Sequence, residues 1–336
     1  MIAPLPVRVA PGTDEALDSY IERVVAANAL AISPFTQHLI RLSGATLRFL
    51  NAAPSPALVE TLSRLTQTPP PVLFQLTLSR YEVVPRIENG HRYGARAASA
   101  KGWFSLIRTQ ACPACVGEGQ PWASHWRLPW VVACLKHSCL LMTRCPGCRI
   151  KLRSTRLQGL RASGFTPLCG NPRAPGRVPQ CEHDLGTATR VPAEGQILAQ
   201  QQVVMEALQG DAVLCHAEPV AGTEYLRRLR SIAVLLFHTV VVSTAPGLPA
   251  WAQQVRAEAQ ARTKERGPRW GVSAPDCPQA RAAVFLLAHQ ILTGLVGAGR
   301  GSLDAWLDLV PPSNEGTRAW AEDHTTTPEA ISYLIG

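Results

Sequence analysis

Residues 111–148 read ACPACVGEGQPWASHWRLPWVVACLKHSCLLMTRCPGC, and the spacing of Cys and His in this stretch decides the fold. Cys112 and Cys115 form a CxxC pair, and Cys134 and His137 form a CxxH pair 18 residues later. The loop inside such a pair curls so that both side chains reach one ion. Two pairs complete a tetrahedron of sulfur and imidazole donors, the set that zinc prefers. Cys145 and Cys148 begin a second cluster seven residues after His137, with Cys169 and Cys181 following at gaps of 20 and 11 residues. Cys169 and Cys181 share no knuckle, and His183 is close enough to Cys181 to rival it as the last ligand. The expected ligands are therefore Cys112, Cys115, Cys134 and His137 for one zinc, and Cys145, Cys148, Cys169 and Cys181 for another.

Four protein ligands per ion leave no open coordination position, and neither an HExxH nor a deaminase-type pattern is nearby. Both ions then serve folding, in a segment with little other core. Cys139 is expected to pack as a small hydrophobe. A redox role for a CxxC calls for a βαβ setting that the flanking sequence does not suggest. Eight of the ten cysteines fall between Cys112 and Cys181. Residues 1–6 lack a cationic stretch followed by an apolar one, so a cytoplasmic chain that uses thiols for metal rather than disulfides is expected. The aromatic-rich run 124–132 suits an extended ribbon hairpin.

Working outward, both flanks read as helical. Thr13-Asp14 can cap a helix whose positions Leu17, Ile21, Val24 and Val25 follow the 3.6-residue period. Ser33-Pro34 and Ser55-Pro56 each suit a helix start with Ser as cap and Pro in the first turn. Helix, break, helix fits a helix-turn-helix or a small bundle that touches no DNA. Residues 81–102 read as a surface loop. Beyond Glu194 five helices are expected, over residues 194–208, 223–241, 251–266, 278–295 and 302–309. The most apolar run, 232–242, is too short for a membrane span of about 18–20 residues. The fold class is thus mainly α with small zinc-ribbon β hairpins, divided into an N-terminal helix-turn-helix-like domain (1–105), a tandem zinc-ribbon region (106–190) and a C-terminal helical domain (191–336).

The formal net charge is +9, from 33 Lys+Arg against 24 Asp+Glu. This favours an anionic partner, although only four of the cations are Lys and a GC-rich genome also enriches Arg. Between Arg144 and Val178 stand eight cations and no acid. Arg149, Lys151 and Arg153 alternate as on a strand, which would set them on one face. With Arg156 they are the candidate nucleic-acid contacts, against the alternative of a solvated ribbon surface. No P-loop occurs.

The stretch 111–148 resembles the TniQ family of transposition proteins, which show a CPxC knuckle, a W-R-x-P-like strand, a C-x-x-H-x-C-x-L turn and a second CPxC. Leu5-Pro6-Val7-Arg8 and Glu15-Ala16-Leu17-Asp18-Ser19-Tyr20 resemble the family's opening motifs, and residues 167–186 resemble the closing half of a second ribbon. The resemblance implies a non-enzymatic adaptor for target-site selection, cytoplasmic and nucleoid-associated in a bacterium. Such an adaptor couples DNA, directly or through a guide-RNA effector complex, to an AAA+ ATPase that recruits the transposase; a homodimer is a further implication. The alternatives are a free-standing zinc-ribbon, helix-turn-helix transcription regulator and an enzyme with a reactive thiol or open zinc.

Overall fold

The computed structural model of the chain describes residues 3–47, 49–85, 94, 104–105, 108–153, 159–172, 180–243, 246–262, 274–295 and 305–306. They form two compact units, Met1–Pro129 with Leu141–Val191, and Trp130–Leu140 with Pro192–Gly336.

The N-terminal part of the first unit holds the helices α1 (Leu17–Ala27), α2 (Ile32–Ser43), α3 (Pro56–Thr66) and α4 (Pro70–Gln75). Leu17, Ile21 and Val25 recur on one side of α1 and are buried in a common core with Leu39, Leu58, Leu62 and Leu73. Ser55 caps α3 as its sequence predicts, accepting the Leu58 N–H at 3.3 Å, with Pro56 in the first turn. The other two caps differ from expectation. α1 has Ala16 at its N-cap, because Asp14 is committed to Arg80 at 2.7 Å and Glu15 accepts the Gly12 N–H at 2.8 Å. α2 has Ala31 at its N-cap, which places Ser33 and Pro34 inside its first turn. The tight helix–turn–helix connection is residues 28–31 between α1 and α2, whereas residues 44–55 make a longer link to α3. α2 ends at Gly44, whose φ of 63° is the left-handed conformation a C-cap needs.

The expected ribbon at 124–132 lies elsewhere. Ser124–Arg127 is a 3-10 turn, and the hairpin is β1 (Ala133–Cys134) with β2 (Cys139–Leu140), in antiparallel register Ala133↔Leu140 and Cys134↔Cys139. Trp122, Trp126 and Trp130 are all buried.

In the second unit, α5 of the first unit (Pro113–Gly117) being numbered before it, the helices are α6 (Gly195–Gln209), α7 (Gly222–Val242), α8 (Ala250–Arg262) and α9 (Pro278–Thr293). α7 packs against α6, α8 and α9, and it carries Ile232, Leu235, Leu236, Phe237 and Val240 as a buried stripe. A second hairpin, β3 (Val213–Cys215) with β4 (Glu218–Val220), turns through His216 and Ala217 at φ 50° and 66°. Among the described residues no helix is long and apolar enough to cross a membrane. Most of the helix expected over 302–309 and most of the loop expected over 81–102 lie outside the described residues.

Candidate metal centres

Cys112 is the N-cap of α5, and Cys115 lies on that helix behind Pro113 at its first position. The Val116 N–H donates to the Cys112 carbonyl at 3.1 Å, closing the knuckle. Cys134 ends β1, and His137 sits in the turn to β2, which Ser138 closes at φ 48°. The three sulfurs and one ring nitrogen all lie within 4.8 Å of one another. Cys134 Sγ is 3.6 Å from His137 Nδ1. A zinc tetrahedron with Zn–S of about 2.3 Å and Zn–N of about 2.0–2.1 Å separates S from N by about 3.6 Å. The geometry therefore selects Nδ1 as the donor atom.

The second centre gathers Cys145, Cys148, Cys169 and Cys181 within the same limit. Arg149 N–H donates to the Cys145 carbonyl at 2.8 Å with Arg149 at φ 58°, which makes the first knuckle. Cys169 and Cys181 face each other on two arms: Gly170 N–H donates to the Cys181 carbonyl, and Cys181 N–H to the Asn171 carbonyl. Cys145–Cys181 and Cys148–Cys169 sulfurs are each 3.8 Å apart. That is the edge of a tetrahedron with Zn–S of about 2.3 Å and far longer than a disulfide of about 2.05 Å; all ten cysteines are unbridged. His183 is not among the four. Its carbonyl accepts the Cys169 N–H at 2.9 Å, and its side chain lies against Gly147.

Burial pushes the Cys145 and Cys169 thiols up, which opposes the thiolate that a metal requires. The backbone works the other way. N–H groups of Gly147 and Cys148 point at the Cys145 sulfur, that of Asn171 at Cys169, and that of His183 at Cys181. At Cys181 burial pushes the thiol up, but the His183 N–H together with hydrogen bonds from the thiols of Cys148, Cys145 and Cys169 outweighs it and holds the thiol below its usual range. Asn171 Nδ2 also approaches Cys148 Sγ at 3.9 Å. Sulfur donors at tetrahedral spacing, served by N–H groups, fit two closed zinc sites. Cys139 is buried outside both clusters, in keeping with a packing role.

The sequence pattern of the TniQ family matches residues 6–141. Residues 6–141 are a TniQ domain. The match takes in α1 to α4 and the first centre, and it stops ahead of Cys145. No curated protein matches the chain. The family is one of non-enzymatic adaptors associated with target selection in transposition.

Within the TniQ domain, the opening motif is a buried joint. Glu15 accepts from Arg23 Nε and from Ser19 Oγ at 2.9 and 3.1 Å, and Ser19 Oγ accepts the Trp122 N–H at 3.0 Å. One turn on, Asp18 and Glu22 meet three buried arginines. Arg127 donates to Asp18 at 2.6 Å. Arg153 bridges Asp18 and Glu22, at 2.8 Å to Glu22 Oε2. Arg161 reaches Glu22 at 3.2 Å through Nε and at 2.7 Å through its backbone N–H. The guanidinium groups of Arg153 and Arg161 lie 4.6 and 5.1 Å from the Trp122 ring centre. Burial would push the Asp18 carboxyl up, but Arg153 and Arg127 outweigh it and hold it below the usual carboxylate range.

The structure separates the four expected nucleic-acid contacts. Arg149 is exposed, Lys151 is half-buried and bridges to Arg144, and Arg156 lies outside the described residues. Arg153 is 3 % exposed, so it cannot present itself to a phosphate. Alternation fails because Arg149 and Arg153 both adopt positive φ, which breaks an extended strand. The signal for the buried joint is in α1: Asp18 and Glu22 stand four apart, beside Leu17 and Ile21 on the apolar side of the helix.

Proposed function

We propose that the chain is a zinc-stabilised, non-enzymatic adaptor that links target-site recognition to an AAA+ ATPase regulator of a transposase. The TniQ domain over residues 6–141 carries this reading, and the closed four-ligand centres support it by leaving no reactive metal position. Target recognition is through DNA directly or through a guide-RNA effector complex. On the chain, the polar surface of α2 (Ser33, Gln37, His38 and Arg41, all exposed) offers groups suited to base edges and phosphates. No Asp or Glu occurs between Glu22 and Glu60, so nothing acidic in that segment opposes a polyanion. Exposed Arg144 and Arg149 with Lys151 and Arg156 form the second basic region of the proposal. The segments 1–105, 106–190 and 191–336 are read as its helix-turn-helix-like, zinc-ribbon and C-terminal helical parts, in a bacterial cytoplasmic protein that pairs as a homodimer.

The test is co-purification of the tagged, zinc-loaded chain with the AAA+ ATPase encoded beside it, with and without DNA. Retention of the ATPase is the expected result. Tight binding to a palindromic operator with no ATPase retained would replace the adaptor by a transcription regulator.

A further inference from the structure

We propose that Glu22 is a positioning residue for the second metal centre, its carboxylate joining the two chain segments that supply the four cysteines. The inference rests on reading Cys145, Cys148, Cys169 and Cys181 as metal ligands. Among the described residues neither segment is held by extended secondary structure: the pairings around the centre are the isolated bridges Arg144↔Lys151, Leu168↔Asp184 and Pro172↔Gln180. Arg153 follows Cys148 on the first segment, and Arg161 precedes Cys169 on the second. Both converge on Glu22, Arg153 at 2.8 and 3.1 Å and Arg161 at 3.2 Å, with the Arg161 backbone N–H adding 2.7 Å.

Arg161 passes the constraint on. Its Nη groups donate to the carbonyls of Gly164, Thr166 and Leu168 at 2.8, 3.1 and 2.9 Å, which shapes the loop up to the residue before Cys169. Glu22 is fully buried, so water does not screen these contacts. Neutral ties from Asn171 Nδ2, to the Lys151 carbonyl at 2.9 Å and to Cys148 Sγ at 3.9 Å, also span the two segments. Glu22 is a charged tie, and it comes from a helix outside the ribbon. Because coupling is reciprocal, a metal held in the centre must also hold α1.

Zinc transfer from the full chain to a chromophoric chelator reads this directly, with cobalt substitution distinguishing the all-thiolate centre from the one with an imidazole ligand by spectrum. In Glu22→Gln, release from the all-thiolate second centre is expected to be faster by about tenfold or more, while the first centre, with its His137 ligand, keeps its wild-type rate. Glu15→Gln is the comparator: Glu15 is equally buried and paired with Arg23, but it touches neither ligand segment. Its zinc release is expected to be unchanged even if its melting point falls. Should Glu22→Gln not fold, Arg161→Lys, which keeps the charge and loses the carbonyl fan, is expected to speed the same centre selectively. In the other direction, Cys169→Ser is expected to speed hydrogen exchange in α1. Equal acceleration by Glu15→Gln, release of both centres together, or wild-type release in the Glu22 and Arg161 variants overturns the proposal. A wild-type chain that carries no zinc at the four cysteines fails the metal reading instead, and zinc content measured beforehand tells the two failures apart.

Discussion

Arg149 and Arg153 have the same side chain four positions apart and do opposite work. Arg149 stands exposed at the turn of a cysteine knuckle, whereas Arg153 is sealed between Asp18, Glu22 and the face of Trp122. Removing one partner of a buried ion pair leaves the other charge uncompensated, at a cost of about 3–5 kcal/mol. Arg153→Ala is therefore expected to lose about that much in urea unfolding. Arg149→Ala is expected to leave the unfolding midpoint in place and to lower the slope of DNA affinity against salt by about one. A salt slope unchanged in Arg149→Ala would remove that residue from the interface. Local alternation could not separate the two arginines, because the carboxylate that decides the fate of Arg153 lies 131 positions away. The ligand residues were legible for the converse reason: a knuckle is a local device, and its spacing is its geometry.

At the level of elements, the helices of the second unit follow their apolar periodicity closely, and the cap of α3 is where its Ser-Pro pair puts it. The two misses have different causes. Asp14 has the chemistry of a helix cap but is drawn to Arg80, whereas Ser33 lies one step inside its helix. A tertiary partner such as Arg80 outbids local propensity, and a single sequence does not display it. The second centre is also a place of close approach between chain segments. A Cβ on Gly147 would stand 2.7 Å from His183 Cβ and 2.8 Å from Cγ. Gly147→Ala must push back the arm that carries Cys181, so a destabilisation of about 1–3 kcal/mol is expected, with zinc affinity weakened at the second centre. Thermal unfolding of the zinc-loaded chain with and without chelator measures both.

For the molecule as a whole, acid acts in two stages. Burial pushes His125 and His289 down to about 4, and His289 Nδ1 lies 2.9 Å from the Tyr225 hydroxyl, which suits a neutral ring. Once unfolded, each ring returns to about 6.5 and takes up a proton. Their stabilising contribution is thus complete above about pH 6.5 and declines as pH falls toward 4. Asp18, held below the usual range, keeps its contribution through that window and loses it only as pH drops below about 4. His289→Asn, which preserves an acceptor for Tyr225 and cannot titrate, is expected to shrink the stability lost between pH 6.5 and 5 by at most about 2 kcal/mol. Urea unfolding at the two pH values checks it, and an unchanged difference would mean that His289 is not the titrating group. The buried ion network also has a consequence in time. Asp18 and Glu22 leave the ribosome 109 to 139 residues ahead of the arginines that neutralise them, an interval on the order of ten seconds at about 5–20 residues per second. Throughout it the nascent N-terminal helices hold two carboxylates on a face they cannot yet bury, so the first part of the chain to be made cannot finish folding until translation has passed Arg161.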